Sequence, residues 1–170
     1  VALSAQPSSG IPNSITSFNG DLIVGGLNVN GNGNNVVRFN GTTWVAMGSG
    51  LNNEVFDLFV HNNALYACGG FSASGATPMS FVARWDGANW NAVGGSVTAP
   101  GIAERGWMMT TYGGDLVVAG HFTSLGGVIV NNVARWNGSA WSGFGAGFSA
   151  ASTATAVANY NGGLVVGGTV

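Results

Sequence analysis

The chain has 170 residues, of which 46% are hydrophobic and only 6% are charged, with four arginines, no lysine and a formal net charge of -2. Such sparse positive charge excludes a basic surface able to neutralise nucleic-acid phosphates or anionic lipid headgroups. The apolar stretches are strand-length, far short of the roughly 20 residues of a membrane-spanning helix. We therefore predict a globular protein without membrane insertion and without a nucleic-acid partner.

One pattern recurs through the chain and predicts its architecture. A leucine opens an apolar, glycine-terminated run four times, at intervals of 43, 51 and 48 residues: Leu22, Leu65, Leu116 and Leu164. In the first three units an arginine follows, in a short strand that ends at an Asn-Gly or Asp-Gly turn: Arg38, Arg84 and Arg135. Sheet units repeated at this spacing indicate propeller blades.

Each unit is predicted to contain four short strands. The first covers residues 15–18, 58–61, 109–112 and 157–160 in the four units. Asparagine and glycine supply the turn into the leucine-led second strand, because a tight hairpin needs positive φ angles. A glycine-rich connection leads to the third strand, which carries the arginine, and the fourth strand begins at Trp44, Trp90 or Trp141. No segment has a helical pattern.

The predicted fold is all-β, a β-propeller-like array of four-stranded antiparallel blades. Counting units gives about 3.5 blades in a single domain over residues 1–170: units at 13–50, 55–96 and 107–147, a half-unit at 155–170, and an orphan fourth strand at 1–3. The second strands are apolar at consecutive positions, which favours strands covered on both faces over a sandwich with one solvated face. A stacked solenoid of sheets is the alternative.

The units resemble the kelch type of propeller repeat. Diglycines follow hydrophobic residues at Gly25-Gly26, Gly69-Gly70 and Gly167-Gly168, and aromatic pairs come after them at Phe39/Trp44, Trp85/Trp90 and Trp136/Trp141. The aromatics are closer together than in kelch, and Ala119-Gly120 breaks one diglycine. In this the chain looks more like the "ArWdG…W" repeats of large secreted bacterial surface proteins and fungal cortical polarity markers. The resemblance covers nearly the whole chain and implies an architecture but no particular ligand.

The two ends of the chain predict an assembly. Val1, Ala2 and Leu3 align with the fourth strand after Trp44, and the chain stops just after a second strand, so it begins and ends inside blades. We expect residues 1–3 to complete the half-unit, whose second strand has an apolar edge at Leu164, Val165 and Val166. Completion within one molecule would close a four-bladed ring, and completion between copies would give a polymer or a larger ring. The start at Val1 also indicates a mature or excised piece.

Neither a catalytic centre nor a metal site is predicted. His61 aligns with aromatic residues of the other units, which favours a packing role, and His121 has no second ligand nearby in the sequence. The single cysteine, Cys68, aligns with glycine or alanine elsewhere, which favours a small buried slot. We therefore predict no enzyme activity and no cofactor.

Residues that recur once per unit are predicted to be structural. They are the arginines Arg38, Arg84 and Arg135 and the tryptophans Trp44, Trp85, Trp90, Trp136 and Trp141. Each arginine is expected to link neighbouring blades, and each aromatic pair to stabilise its hairpin. The alternative is a ring of cation–aromatic pockets for a sugar or a peptide.

Two surface features are candidates for recognition and modification. The longest connection between units, residues 96–106, carries Pro100, Glu104 and Arg105 and is the predicted partner loop, because loops on a rigid scaffold commonly carry binding. Asn40 and Asn137 lie in Asn-Gly-Thr and Asn-Gly-Ser sequons and are candidate glycosylation sites, with plain Asn-Gly turn chemistry as the alternative.

The sequence thus predicts a non-enzymatic structural or adhesive protein, secreted or on the cell surface, that self-assembles head to tail as a homo-oligomer or polymer. Head-to-tail contacts give a ring if the rotation closes and a filament if it does not. The alternative is a monomeric lectin-like module that binds a glycan or a surface protein in aromatic-lined pockets between blades.

Overall fold

The computed structural model describes residues 10–30, 34–95, 104–145 and 147–169. Over these ranges the protein is all-β and contains no helix, and so none that could cross a membrane. Three four-stranded antiparallel sheets and a two-stranded hairpin follow one another along the chain. The predicted orphan strand at residues 1–3 and Pro100 of the predicted partner loop lie outside the described residues.

The strands fall into four units. Unit 1 contains β1 (Ile11–Phe18), β2 (Asp21–Leu27), β3 (Val36–Phe39) and β4 (Trp44–Ala46). Unit 2 contains β5 (Val55–His61), β6 (Ala64–Gly69), β7 (Ala73–Ser74), β8 (Thr77–Pro78), β9 (Val82–Trp85) and β10 (Trp90–Ala92). Unit 3 contains β11 (Arg105–Tyr112), β12 (Asp115–His121), β13 (Ser124–Leu125), β14 (Val128–Ile129), β15 (Val133–Trp136) and β16 (Trp141–Gly143). Unit 4 is the hairpin of β17 (Thr153–Tyr160) and β18 (Gly163–Thr169).

The sheets of units 1 to 3 have the same strand order, in which each strand pairs with the next: β1-β2-β3-β4, β5-β6-β9-β10 and β11-β12-β15-β16. The connections between second and third strands in units 2 and 3 form the small hairpins β7–β8 and β13–β14, which are separate sheets. The sequence predicted these connections only as glycine-rich excursions. The four-strand unit and the tryptophan at the start of each fourth strand agree with the prediction.

The first strands are longer than predicted because each contains a bulge. The register between first and second strands shifts at Asn13 in unit 1 and at the equivalent place in the other units. The bulge brings a first-strand carbonyl against the second strand, so a Cβ on Gly69 would collide with the Glu54 carbonyl oxygen, and Gly26 meets the Ile11 oxygen in the same way. This close approach explains the glycine that ends the repeated run in every unit.

The hydrophobic core lies between units. Ile23 of unit 1 packs in one cluster with Leu58 and Phe71 of unit 2, while Tyr66 of unit 2 packs with Val118 of unit 3. Successive first strands lie against one another, β1 on β5, β5 on β11 and β11 on β17. Within the described ranges no packing of comparable extent joins β17 back to β1, so the described array is open at both ends.

Candidate functional site

A cleft of about 490 Å³ opens between unit 2 and unit 3. The wall from unit 2 comes from β6 and the β9–β10 hairpin, with Tyr66, Arg84, Asp86 and Asn91 among its residues, and Trp136 stands on the unit 3 wall. This volume falls within the roughly 300–1,000 Å³ typical of small-molecule sites. The mixture of aromatic and hydrogen-bonding side chains makes the cleft the first candidate for a binding site.

The arginine of this cleft differs from its counterparts in the other units. Arg38 Nη1 lies 3.0 Å from Asp21 Oδ2 in unit 1, and Arg135 Nε lies 3.8 Å from Asp115 Oδ2 in unit 3. In units 1 and 3 the aspartate is the first residue of the second strand, and it pairs with the last residue of the first strand. In unit 2 the residue at this position is Ala64. Within the described residues Arg84 therefore has no acidic partner.

The arginine contacts also differ from the predicted links between blades. Arg135 Nε lies 3.2 Å from Ser142 Oγ, and its guanidinium lies 5.5 Å from the centre of the Phe144 ring, both within unit 3. The ion pair of Arg38 lies within unit 1. Each of these two arginines joins the third strand of its sheet to the aspartate that begins the second strand. The two side chains can meet because the second and third strands pair with each other.

His61 joins the two walls of the cleft. The ring is buried and lies edge-on to Tyr66 at 6.2 Å between ring centres. Asn62 Nδ2 lies 3.0 Å from His61 Nε2, and Thr111 Oγ1 of β11 lies 2.9 Å from His61 Nδ1, so the ring is hydrogen-bonded to both units. Burial lowers the pKa of His61, an effect that the nearby Asp115 carboxylate opposes. The ring is thus a neutral bridge between units.

Asp86 supplies an ionised acceptor at the exposed rim. Its Oδ1 accepts the backbone N–H groups of Ala88 and Asn89 at 2.8 and 2.7 Å, and Oδ2 accepts from Asn91 Nδ2 at 2.8 Å. The N–H groups of Asn89 and Ala88 lower the pKa of Asp86. Tyr66 stays protonated, because burial raises the pKa of its hydroxyl although the charge of Arg84 opposes this.

The tryptophans fix the geometry of the unit 3 wall. Trp136 and Trp141 lie on paired strands with ring centres 5.3 Å apart, and Trp141 Nε1 donates to the Val93 carbonyl of unit 2 at 2.9 Å. The other units carry the same cross-strand pairs, Trp85 with Trp90 at 5.3 Å and Phe39 with Trp44 at 5.2 Å. These are the hairpin pairs that the sequence predicted.

The two outer faces of the array form a second candidate site. Ile15 of unit 1 is 62% exposed, whereas the residues at its position in the other units, Leu58, Met109 and Val157, are 4, 3 and 5% exposed. In unit 4 Val165 is 53% exposed, whereas its counterparts Ile23, Tyr66 and Val117 are 1, 6 and 0% exposed. Each outer face therefore exposes an apolar residue at a position that is buried at every internal junction.

The predicted assembly edge lies on this second face. Leu164 and Val166 are half-buried against unit 3, while Val165 points to the opposite, exposed side. Within the described residues β18 pairs only with β17, whereas β2, β6 and β12 each pair also with a third strand. Val1, Ala2 and Leu3, the predicted strand partners, lie outside the described residues.

The remaining predicted residues have local partners. Glu104 Oε1 accepts from Thr123 N–H and Oγ1 at 3.0 and 2.9 Å, and the guanidinium of Arg105 lies 5.5 Å from the centre of the Trp107 ring. These two residues of the predicted partner loop therefore make contacts within unit 3.

The two sequon asparagines occupy turns. Asn40 Oδ1 accepts the N–H groups of Thr42 and Thr43 at 3.0 and 2.9 Å. Asn137 Oδ1 accepts from Ser139 and Ala140 N–H, each at 2.9 Å. Both asparagines thus cap the turn between third and fourth strands, as Asp86 does in unit 2.

Sequence reasoning missed Asp57, which joins three units. Its Oδ1 accepts from Ser14 Oγ of β1 at 3.1 Å, and its Oδ2 accepts the Met109 N–H of β11 at 2.9 Å. Burial raises the pKa of Asp57, and the hydrogen bonds from Met109 and Ser14 oppose the effect. The available signal was a lone acid inside the apolar β5 strand.

Cys68 is fully buried, as its alignment with small residues predicted. In the part of the chain that the structure describes, no three His, Cys, Asp or Glu side chains are grouped so as to hold a metal ion. No protein-family model matches the sequence, and no curated protein matches it either.

Proposed function

We propose that this protein is a non-enzymatic, extracellular structural or adhesive repeat protein whose copies assemble head to tail. The observation that carries the proposal is the exposure of Ile15 and Val165, at positions buried in every internal junction. An internal junction packs the Val165-type face of one unit onto the Ile15-type face of the next. The Val165 face of one copy can therefore pack on the Ile15 face of a second copy, as the equivalent faces do at each internal junction.

The shapes of the two outer faces support this pairing. At the junction of units 1 and 2, Gly25 leaves room for Val55, whose side chain would collide with any added Cβ. On the outer faces, the register makes Gly167 of β18 equivalent to Gly25, and Pro12 of β1 equivalent to Val55. A small residue would again face a larger one, which is the complementarity that close packing requires.

One edge of β18 pairs with no strand among the described residues, and it supports a second element of the same contact. In unit 1, the residues Leu22, Ile23 and Val24 pair with the third strand, and their counterparts in unit 4 are Leu164, Val165 and Val166. An unpaired apolar edge favours strand addition. Completion of unit 4 by a strand from a second copy, as predicted for residues 1–3, would convert the hairpin into a fuller blade.

The proposed assembly is propeller-like. Successive first strands already lie side by side, which is the arrangement of inner strands around a propeller axis. A second copy would extend this row into a closed ring or continue it as a filament. The extracellular location is proposed from the scarcity of charged residues and from the repeat type.

Introducing a charge on each outer face tests the proposal. We expect the native chain to form assemblies in light scattering and electron microscopy, and Ile15→Glu and Val165→Glu each to prevent their growth, because an unpaired charge would be buried at the contact. Ile129→Glu is the matched control, since Ile129 is 85% exposed on β14, which belongs to neither outer face, and should leave assembly unchanged.

Mixing the two variants distinguishes head-to-tail contact from any symmetric alternative. The Ile15→Glu chain keeps an intact Val165 face, and the Val165→Glu chain keeps an intact Ile15 face. A head-to-tail interface predicts that the mixture forms a capped pair while each variant alone stays monomeric. A native chain that is monomeric at all concentrations, or assemblies insensitive to both substitutions, would contradict the proposal.

A further inference from the structure

We propose that the cleft between units 2 and 3 is a binding site for a neutral saccharide, with room for a terminal sugar or a disaccharide. The site is independent of the outer faces, because its walls are internal to one chain. The inference therefore goes beyond self-assembly and can hold for a monomer or for each copy in a polymer.

The first argument is that Arg84 has no acidic partner among the described residues. The repeat supplies an aspartate for Arg38 and Arg135, and unit 2 replaces it with Ala64 at the same register position. Ala64 and Arg84 both line the cleft. The replacement removes the acid that engages the arginine elsewhere and leaves guanidinium N–H donors at a concave surface, where they can serve a ligand oxygen.

The second argument is the mixture of donors and acceptors. Asp86 and Arg84 lie two residues apart on the same hairpin, and the amide side chains of Asn62, Asn91 and Asn137 also line the cleft. A sugar hydroxyl can donate to one group while it accepts from another, so neighbouring hydroxyls match a site lined by carboxylate, guanidinium and amide groups.

The third argument is the aromatic wall. Trp136 is half-buried and lines the cleft opposite the polar residues of unit 2. The negative face of an indole attracts the weakly positive C–H groups on the flat side of a pyranose ring, and it also supplies apolar contact area. Ala92 and Val93 add apolar surface on the unit 2 wall. A cleft that combines apolar surface with hydrogen-bonding groups fits a ligand that has both kinds of surface.

The charge balance selects a neutral sugar over an acidic one. Asp86 is held ionised by backbone N–H groups, so its charge balances that of Arg84 on the same wall of the cleft. The bridging His61 is neutral and adds no positive charge. An anionic ligand would gain from Arg84 but would be repelled by Asp86, whereas a neutral hydroxyl-bearing ligand can use both.

The cleft is held open in advance. The bond from Trp141 Nε1 to the Val93 carbonyl and the bond between His61 and Thr111 each cross the junction between the two units. Bonds that fix the relative position of the walls reduce the ordering that a ligand must impose, which favours binding.

The test begins with an array of immobilised neutral oligosaccharides built from glucose, galactose, mannose and N-acetylglucosamine. Sialylated and glucuronic acid oligosaccharides and an oligoglutamate peptide are included as acidic probes. We expect binding to at least one neutral oligosaccharide, followed by titration of that sugar in solution against Trp fluorescence. Binding of acidic probes alone, or no binding to any neutral probe at millimolar concentration, would overturn the proposal.

Two substitutions in unit 2 then assign the binding to the cleft. Arg84→Gln removes the charged donors, and Ala64→Asp restores the acid of units 1 and 3 so that Arg84 is paired. We expect each to weaken binding about tenfold or more. Ala64 is buried, whereas the side chains of Asp21 and Asp115 are 25 and 24% exposed, so we expect Ala64→Asp to lower the unfolding midpoint, and its affinity is measured at a temperature where the variant is fully folded. Arg38→Gln, the matched control in unit 1, should leave affinity within about twofold.

The aromatic wall has its own matched pair. Trp136→Ala should abolish detectable sugar binding, while Trp85→Ala, at the equivalent position in unit 2, should lower stability by a similar amount and keep binding. Equal loss of binding in Arg84→Gln and Arg38→Gln, or in both tryptophan variants, would overturn the assignment to this cleft. The Val165→Glu chain should bind the sugar like the native chain, so failure of the cleft and failure of the assembly proposal are distinguishable.

Discussion

Strands β6 and β18 have nearly the same sequence pattern and opposite environments. Both follow a tight hairpin turn, both contain a leucine-led apolar run, and in both this run ends at a glycine that a first-strand carbonyl approaches closely, Gly69 in β6 and Gly168 in β18. Every residue of β6 is buried, whereas β18 has only Leu164 and Val166 half-buried and the rest exposed. β6 lies between β5 and β9 with unit 1 on one face and unit 3 on the other. Among the described residues, β18 is covered only by its hairpin partner β17 and by unit 3.

The comparison shows that burial here belongs to the array and not to the strand. An apolar run makes a strand that can be covered on both faces, but the neighbouring units decide whether it is. Equivalent residues in different units are therefore matched pairs, with similar local structure and different surroundings. Substitutions at such pairs separate the contribution of a neighbour from that of the strand itself.

The largest expected difference is between the two leucines that open these strands. Leu65 is fully buried in the core between units 1 and 2, so Leu65→Ala should lower the free energy of unfolding by about 2–5 kcal/mol. Leu164→Ala should cost less, because Leu164 is half-buried. Denaturant unfolding, followed by Trp fluorescence at concentrations where the chain is monomeric, measures both. Equal losses would show that unit 4 is as well covered as unit 2.

The next difference is between adjacent glycines. An added Cβ on Gly69 would collide with the Glu54 carbonyl at the bulge, while one on Gly70 would come no closer than 3.7 Å to Asn53 Nδ2. Gly69→Ala should therefore destabilise the protein by about 1–3 kcal/mol. Gly70→Ala should be neutral or stabilise it by up to about 1 kcal/mol, because it restricts the unfolded chain. The order of the two unfolding midpoints checks this, and a reversed order would contradict the steric argument.

The glycine pair also shows what the sequence could predict. Recurring leucines, Asn-Gly turns and tryptophans are local signals, and they located the second and fourth strands correctly. Residues 11–14 of β1 were missed because the bulge interrupts the alternation that marks a strand. The diglycines Gly25-Gly26 and Gly69-Gly70 look equivalent in the sequence, whereas the register aligns Gly26 with Gly69.

The sites were harder to predict because they depend on residues far apart in the sequence. Asp57 receives hydrogen bonds from residues 43 positions before it and 52 positions after it, so no local pattern reveals its role. The cleft depends on one exchange, Ala64 for an aspartate that recurs in units 1 and 3. An alignment of the units contains that exchange, but its meaning needs the register, in which Arg84 pairs with Tyr66, two residues after Ala64. The outer faces likewise become visible only when exposure is compared between units.

The carboxylates of Asp57 and Asp86 should affect stability with opposite signs as pH changes. Burial raises the pKa of Asp57, so the folded state holds this proton more tightly than the unfolded state. The contribution of Asp57 to the free energy of unfolding is therefore largest below the ordinary aspartate pKa of about 3.9. It is lost as the pH rises through the raised pKa of Asp57 in the folded state. Hydrogen bonds lower the pKa of Asp86, so its contribution is present above about 3.9 and is lost as pH falls.

Asparagine substitutions separate the two effects. Asp57→Asn keeps an acceptor for the Met109 N–H and should flatten the decline in stability above about pH 4. Asp86→Asn places in unit 2 the residue that caps the same turn in units 1 and 3, and should flatten the decline on acidification. Urea unfolding of both variants and the native chain between pH 3 and pH 8 tests this. The same change of slope in both variants would contradict the assignment.

The smallest expected difference is between the tryptophans that begin β10 and β16. Trp141 Nε1 donates to the Val93 carbonyl of the preceding unit, whereas the buried Trp90 Nε1 has no hydrogen-bond partner in the structure described. Both rings are in cross-strand pairs at 5.3 Å, so replacement by phenylalanine removes similar packing from each. Trp141→Phe also removes the hydrogen bond to the Val93 carbonyl and leaves that carbonyl buried without it. It should therefore lower the free energy of unfolding by about 1 kcal/mol more than Trp90→Phe does. Thermal unfolding of the two variants measures that difference, and a larger loss for Trp90→Phe would mean that its indole N–H is paired in solution. Because the donor lies in unit 3 and the acceptor in unit 2, the excess cost for Trp141→Phe would measure how much this one bond adds to holding the walls of the cleft together.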